Sequence, residues 1–174
     1  MQPNHNTTRH PAAVAEKHLL KDCDIQTTRR SGPGGQHRNK VETAVIITHR
    51  PTGVSAEASE KRSQSENRKT ALFRLRVRLA LQVRGQRNEA AQPSMLWQSR
   101  CRHKRIAVNP SHADFPALLA EGLDTVFHCE WNLRSAAEQL GCTSSQLVSF
   151  LKKEPRAWEL VNRHRVEHGL PRLK

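Results

Sequence analysis

The stretch Arg29-Arg-Ser-Gly-Pro-Gly-Gly-Gln-His-Arg-Asn-Lys40 holds the residues whose types and spacing point most directly to chemistry. Three glycines around a proline continue neither a helix nor a strand, so Ser31–Gly35 reads as a tight, exposed loop. Ser31 sits in no G-x-S-x-G frame and has no evident Asp/His pairing, which sets aside serine-hydrolase chemistry. Gln36 carries a neutral carboxamide that is not basic near neutral pH, so it is not an ordinary general base. Its uses are geometric: a carboxamide that places a water, and a backbone N–H that faces developing negative charge. Gly34 and Gly35 permit positive φ and carry no β-carbon, so the backbone can enter a narrow cavity. A bare Gly-Gly-Gln tripeptide is nevertheless a weak signal, and its weight depends on the frame around it.

The elements that must position this loop read as follows. Pro11 starts a short helix through Leu20. Cys23–Arg30 reads as a short strand, Val41–His49 as a second, Arg50–Gly53 as a turn and Val54–Ser59 as the return strand of a hairpin. Leu72, Leu75, Leu79 and Val83, widened by Phe73 and Val77, predict a helix over Ser65–Arg84, with Arg68, Lys69, Arg74, Arg76, Arg78 and Arg84 on much of the remaining surface. Gly85 is a candidate C-terminal stop. Residues 86–110 are polar and irregular, contain the basic cluster Arg100–Arg105, and read as a linker or extended arm. Beyond them the chain is patterned for helices: one opened by Ser111 or Asp114, one capped by Asn132 and ended by Gly141, one opened by a Thr143–Gln146 capping box, and a last one started by Pro155.

The frame extends past the tripeptide. Arg29, Ser31, Gly32, Gly34, Gly35, Gln36, His37, Asn39 and Lys40 stand at fixed spacing, followed by Ile47-Thr-His-Arg-Pro-Thr-Gly53 and Arg62-Ser-Gln-Ser-Glu-Asn-Arg-Lys69. Over Asp22–Val83 this resembles the peptidyl-tRNA hydrolysis domain of class I peptide chain release factors. Pro33 stands where many members have Ala, and Arg38 where Val is common. The resemblance implies hydrolysis of the ester joining a peptide to the 3′ end of P-site tRNA, with Gly34, Gly35 and Gln36 as the catalytic loop. Ribosomal RNA and the tRNA terminal ribose would supply the rest of the site. His37 then orients the loop or contacts RNA. Arg29, Ser31, Arg38, Asn39, Lys40, Arg62, Arg68 and Lys69 are the remaining RNA-binding candidates, the basic ones binding phosphates. His49, Arg62, Gln64 and Asn67 match the family pattern, and local capping and turn structure explain them equally well.

Composition bears on partners. The 174 residues carry 29 Lys+Arg against 16 Asp+Glu, a net charge of +13. Residues 1–110 hold 21 basic and 8 acidic residues, whereas residues 111–174 hold 8 of each. A surplus this concentrated favours a polyanion such as ribosomal RNA. No apolar run approaches the roughly 20 residues that span a bilayer, and no amphipathic helix offers an aromatic face to a membrane surface. Cys23, Cys101, Cys129 and Cys142 are scattered without a C-x-x-C pair, as expected for reduced thiols in a cytoplasm, so neither a metal nor a small-molecule cofactor is expected. An acid-poor start leaves an organelle transit peptide open.

The expected fold class is α+β: a small sheet carrying the loop, packed on a long helix, followed by a small all-helical module. The expected divisions are an N-terminal segment with a short helix (1–21), the release-factor-like catalytic domain (22–86), a basic linker (87–110) and a helical module (111–174). Only about 30 residues precede Ser31, which points to a monomeric, codon-independent relative that rescues stalled ribosomes. Within the helical module, residues 133–153 resemble a helix-turn-helix through Ala137, Gly141, Leu140, Leu147 and Phe150. Residues 144–151 offer Gln146 and serines but no Arg or Lys, so a fold-supporting or partner-docking role is preferred to DNA reading. The alternative function is a non-enzymatic ribosome- or RNA-binding protein on the same scaffold.

Overall fold

A computed structural model describes residues 9–29, 43–85 and 92–174. Three antiparallel strands, β1 (Cys23–Thr28), β2 (Ala44–His49) and β3 (Ser55–Ala58), form a sheet in that order. In β2, Val45, Ile47 and His49 are buried while Ile46 and Thr48 are less so, the alternation of a strand with one face on the core. That face packs on the helix Gln64–Gln82, which buries Ala71, Leu72, Leu75, Leu79 and Ala80. Ser63 caps this helix by accepting from Glu66 N–H, so it starts one residue before the expected Ser65. It stops at Gln82 with Val83 already extended. Gly85 therefore does not form the C-cap. It sits against Asp124, whose Oδ2 would lie 2.8 Å from a β-carbon placed there.

The β2–β3 turn is as expected: Gly53 at φ +69° donates to His49 O, and His49 Nδ1 hydrogen-bonds Thr52 Oγ1 at 2.8 Å. The single helix expected from Pro11 to Leu20 is divided. Pro11–Ala13 and Leu20–Asp22 are 3-10 turns around the four-residue helix Glu16–Leu19, because Val14 and Ala15 are extended. The break seats Ala12 in the core, where its carbonyl accepts from Arg76 Nε.

The segment read as an irregular linker is ordered structure from residue 94 on. Ser94 caps the helix Met95–Arg100, which runs into a small hairpin of β4 (Cys101–Arg102) and β5 (Arg105–Ile106). Its anchor is Trp97, 1% exposed, whose Nε1 donates to Leu140 O at 2.8 Å and whose ring meets Phe150 edge-on. A single buried indole in a polar run gives no periodicity to detect, and its partners lie more than 40 residues away.

Four helices follow: Phe115–His128, Leu133–Gln139, Ser144–Leu151 and Pro155–Glu167. Asn132 caps the second by accepting from Arg134 and Ser135 N–H, and Gly141 at φ +66° ends it, with Cys142 N–H donating to Ala137 O. Thr143 caps the third, but Gln146 does not close the capping box. Its Oε1 accepts instead from Ile106 N–H of the hairpin. The helix Phe115–His128 lies along Gln64–Gln82, and one hydrophobic core runs from Ala12 through Ile47, Leu75, Trp97 and Leu119 to Val161. The fold is α+β with a helical C-terminal part.

Candidate functional site

Thr28 of β1 pairs with Ala44 of β2, the last pair of the ladder, so residues 29–43 leave and re-enter the sheet at one end. Ser31, Gly34, Gly35, Gln36, His37, Arg38, Asn39 and Lys40 lie outside the described residues. The structure does describe the base on which they are mounted. Asn67, at the end of the first turn of the helix Gln64–Gln82, is fully buried. Its Nδ2 donates to Thr43 O at 2.7 Å and to Lys61 O at 2.9 Å, and its Oδ1 accepts from Lys61 N–H at 2.9 Å. One carboxamide thus ties three backbone groups together, so the returning arm of the loop, the turn before the helix and the helix itself are fixed to one another.

Around this clamp the basic residues divide by position. Arg62, Arg68 and Lys69 are exposed, and their side chains make no hydrogen bond or ion pair among the described residues. Farther along the helix the cations hold the fold. Arg74 donates to Glu57 O and pairs with Glu60, and Arg78 donates to Ser55 O. Arg76 reaches Ala12 O and Ala113 O, and Arg84 pairs with Asp124. Burial lowers the Arg76 and Arg84 guanidinium pKa values, opposed by the neighbouring carboxylates. Arg29, at the other foot of the loop, is exposed. The helix therefore presents its uncommitted charges at the end where the loop is anchored, an arrangement suited to the phosphates of a strand running past that end.

Of the four residues with two readings, Asn67 is the clamp and His49 shapes the turn. His49 stands five residues from Ala44 along β2, roughly 17 Å at strand rise, with its pKa lowered by burial. Arg62 and Gln64 are exposed beside the clamp. Sequence reasoning did not foresee the bond from Asn67 to Thr43. The available signal was an Asn inside a helix, a residue whose side chain competes for backbone groups and needs a reason to be there. In the helix-turn-helix-like region Leu140, Leu147 and Phe150 are buried as patterned, and Gln146, the single base-reading candidate there, is bonded to the hairpin. Among the described residues no three His, Cys, Asp or Glu side chains are grouped to hold a metal ion, and no helix is long and apolar enough to cross a membrane.

The chain is similar to peptide chain release factors. It is 52% identical over 67 residues to chloroplastic peptide chain release factor PrfB1 of Arabidopsis thaliana, covering 38% of this chain and 15% of that protein. Against peptide chain release factor 1 of Rickettsia typhi it is 44% identical over 78 residues, 45% of this chain and 22% of the relative. Against peptide chain release factor 2 of Thermomicrobium roseum it is 49% identical over 72 residues, 41% and 19% of the two chains. The aligned part thus spans no more than about a fifth of each relative's length. The family model of the RF-1 domain matches residues 17–111, past the Val83 limit of the resemblance and through the hairpin at 101–106. With more than half of its residues in that match and the sheet, loop base and helix folded as one unit, the chain belongs to the RF-1 domain family of class I peptide chain release factors.

Proposed function

We propose that this protein hydrolyses the peptidyl-tRNA ester inside the peptidyl transferase centre of the large ribosomal subunit, and does so without reading a stop codon. The observation that carries this reading is the Asn67 clamp. It fixes the return of the 29–43 segment, with its Gly34-Gly-Gln36 sequence, to a helix whose nearest cations are uncommitted. In this reading Gln36 is catalytic through its amide. The side chain places the attacking water, and the backbone N–H meets the charge that develops on the departing 3′ oxygen. Gly34 and Gly35 let that N–H point correctly and leave room for RNA. Arg29, Arg38, Lys40, Arg62, Arg68 and Lys69 hold phosphates, while Ser31, His37 and Asn39 position the loop against ribosomal RNA and the P-site tRNA end.

The test is peptide release from purified complexes stalled on a sense codon and on a stop codon, comparing the natural protein with Gln36→Ala and Gly35→Ala. Gly35→Ala, which misdirects the Gln36 N–H, should lower the rate by about 10²- to 10³-fold, on the order of 3–4 kcal/mol. Gln36→Ala, which keeps that N–H but removes the carboxamide that places the water, should lower it as well. Equal release on both codons is expected. Undiminished release by both variants removes the mechanism, and release confined to the stop codon removes codon independence.

A further inference from the structure

The hairpin β4–β5 carries four consecutive exposed residues, Arg102, His103, Lys104 and Arg105, none with a side-chain hydrogen bond or ion pair among the described residues. His103 and Lys104 form its two-residue turn at φ +49° and +61°. Two-residue turns of this kind favour Asn-Gly, because a residue with a β-carbon is disfavoured at positive φ. Arg102 and Arg105 are a register pair. Like charges directly opposite one another on a sheet repel. Both the turn and the stem are thus poor choices for stability, and both favour clustering positive charge.

The stem is nevertheless firmly mounted. Ile106 is buried and its N–H donates to Gln146 Oε1, Ala107 N–H donates to Arg100 O, and Arg100 is paired with Asp114. Beside it opens a cavity of about 590 Å³ lined by Arg100, Arg102, Arg105, Ser99 and Gln146 as well as Ile106 and Ala107, with no acidic side chain. A rigid, unpaired cluster of cations next to an acid-free concavity is complementary to a run of phosphates.

We propose that this hairpin is a second RNA contact, gripping backbone phosphates of ribosomal RNA independently of the loop at 29–43. That the RNA is ribosomal rests on the release reading above; the phosphate recognition rests on the hairpin alone. No apolar side chain stands at positions 102–105 to enter a bilayer, which favours RNA over an anionic membrane.

The experiment uses the full chain and two variants, Arg102→Gln/Arg105→Gln and Lys104→Gly. The second removes a charge while easing the turn, so it should melt no lower than the natural protein. Binding to purified large subunits is measured from 50 to 300 mM KCl, alongside release at saturating protein and binding to phosphatidylserine vesicles. The double variant should bind about 10-fold or more weakly at low salt, with its log–log salt slope shallower by about 1.5–2. Lys104→Gly should show about half that change, and saturated release should be unchanged in both. Natural affinity and slope in both variants, or hairpin-dependent binding to vesicles but not to subunits, overturns the proposal. Failure of the natural protein to bind subunits overturns it too. Hairpin-dependent binding without any release would sustain it while refuting hydrolysis.

Discussion

Replacing Asn67 tests whether the clamp positions the loop or merely supports the fold. Asn67→Ala deletes three hydrogen bonds and leaves Thr43 O, Lys61 O and Lys61 N–H without their partner. A hydrogen bond contributes about 0.5–1.5 kcal/mol net. Lys61 is exposed and Thr43 half-buried, so water replaces part of what is lost, and the expected destabilisation is about 2–3 kcal/mol. Asn67→Asp keeps an acceptor for Lys61 N–H but turns a carboxylate oxygen toward the two carbonyls, so it should cost at least as much as alanine despite its shape. The informative readout is release at saturating protein, at a temperature where both variants are fully folded. If the clamp sets the path of the loop, a displacement of about 1 Å at its base should lower the rate by about 10²-fold. Amide exchange at Ala44 should rise in parallel. A lowered melting point with natural release and natural Ala44 protection in both variants would refute the positioning role.

Two further expectations concern the scaffold. His10 donates from Nε2 to Val83 O and accepts at Nδ1 from Ala12 N–H, so both ring nitrogens require the neutral form. Burial lowers its pKa from 6.5 to about 4, opposed by the Val83 bond and assisted by Arg84. Above pH 6.5 neither state is protonated. As pH falls from 6.5 to 4 the unfolded chain takes up a proton that the folded one refuses, so stability is lost over that window, by about 3 kcal/mol in all. Urea unfolding at pH 7 and pH 4.5 should show a distinctly smaller difference for His10→Gln, and an identical difference would refute the assignment. Trp97→Ala should destabilise by about 3–5 kcal/mol, whereas Trp97→Phe, which loses chiefly the bond to Leu140 O, should cost less. Calorimetric unfolding distinguishes the two, and a mild effect of alanine would return residues 94–110 to the status of a linker.

What the sequence disclosed follows from the range of the interactions involved. β2, the turn at Gly53, the caps at Asn132 and Thr143 and the stop at Gly141 were legible because neighbouring residues settle them. The hairpin at 101–106 was not, since His103-Lys104 carries none of the Asn or Gly signals that usually mark such a turn. Gly85 was misread because a glycine after a helix has two uses, and the approach of Asp124 from a distant helix decides between them. The break after Ala13 follows from Ala12 O meeting Arg76, a contact 64 positions away. For the site, residue types and spacing offer the loop and its basic companions as candidates, while the bond that ties Asn67 to Thr43 is tertiary and invisible to local pattern.

The basic surplus itself is not one surface. On the helix Gln64–Gln82 and just beyond it, Arg74, Arg76, Arg78 and Arg84 are used internally, on carbonyls and carboxylates of the fold. Among the described residues, two groups of exposed cations stand apart from these, Arg62, Arg68 and Lys69 beside the Asn67 clamp and Arg102, Lys104 and Arg105 on the hairpin. Net charge alone therefore overstates how much of the molecule faces a polyanion. In the proposed reading the two anchors add to binding, while the placement of the uncharged amide is set locally by the Asn67 clamp at the base of the loop. Removing one anchor should then weaken binding without slowing the step once bound, whereas loosening the clamp should do the reverse, and double-variant measurements that fail to separate these two effects would contradict the division.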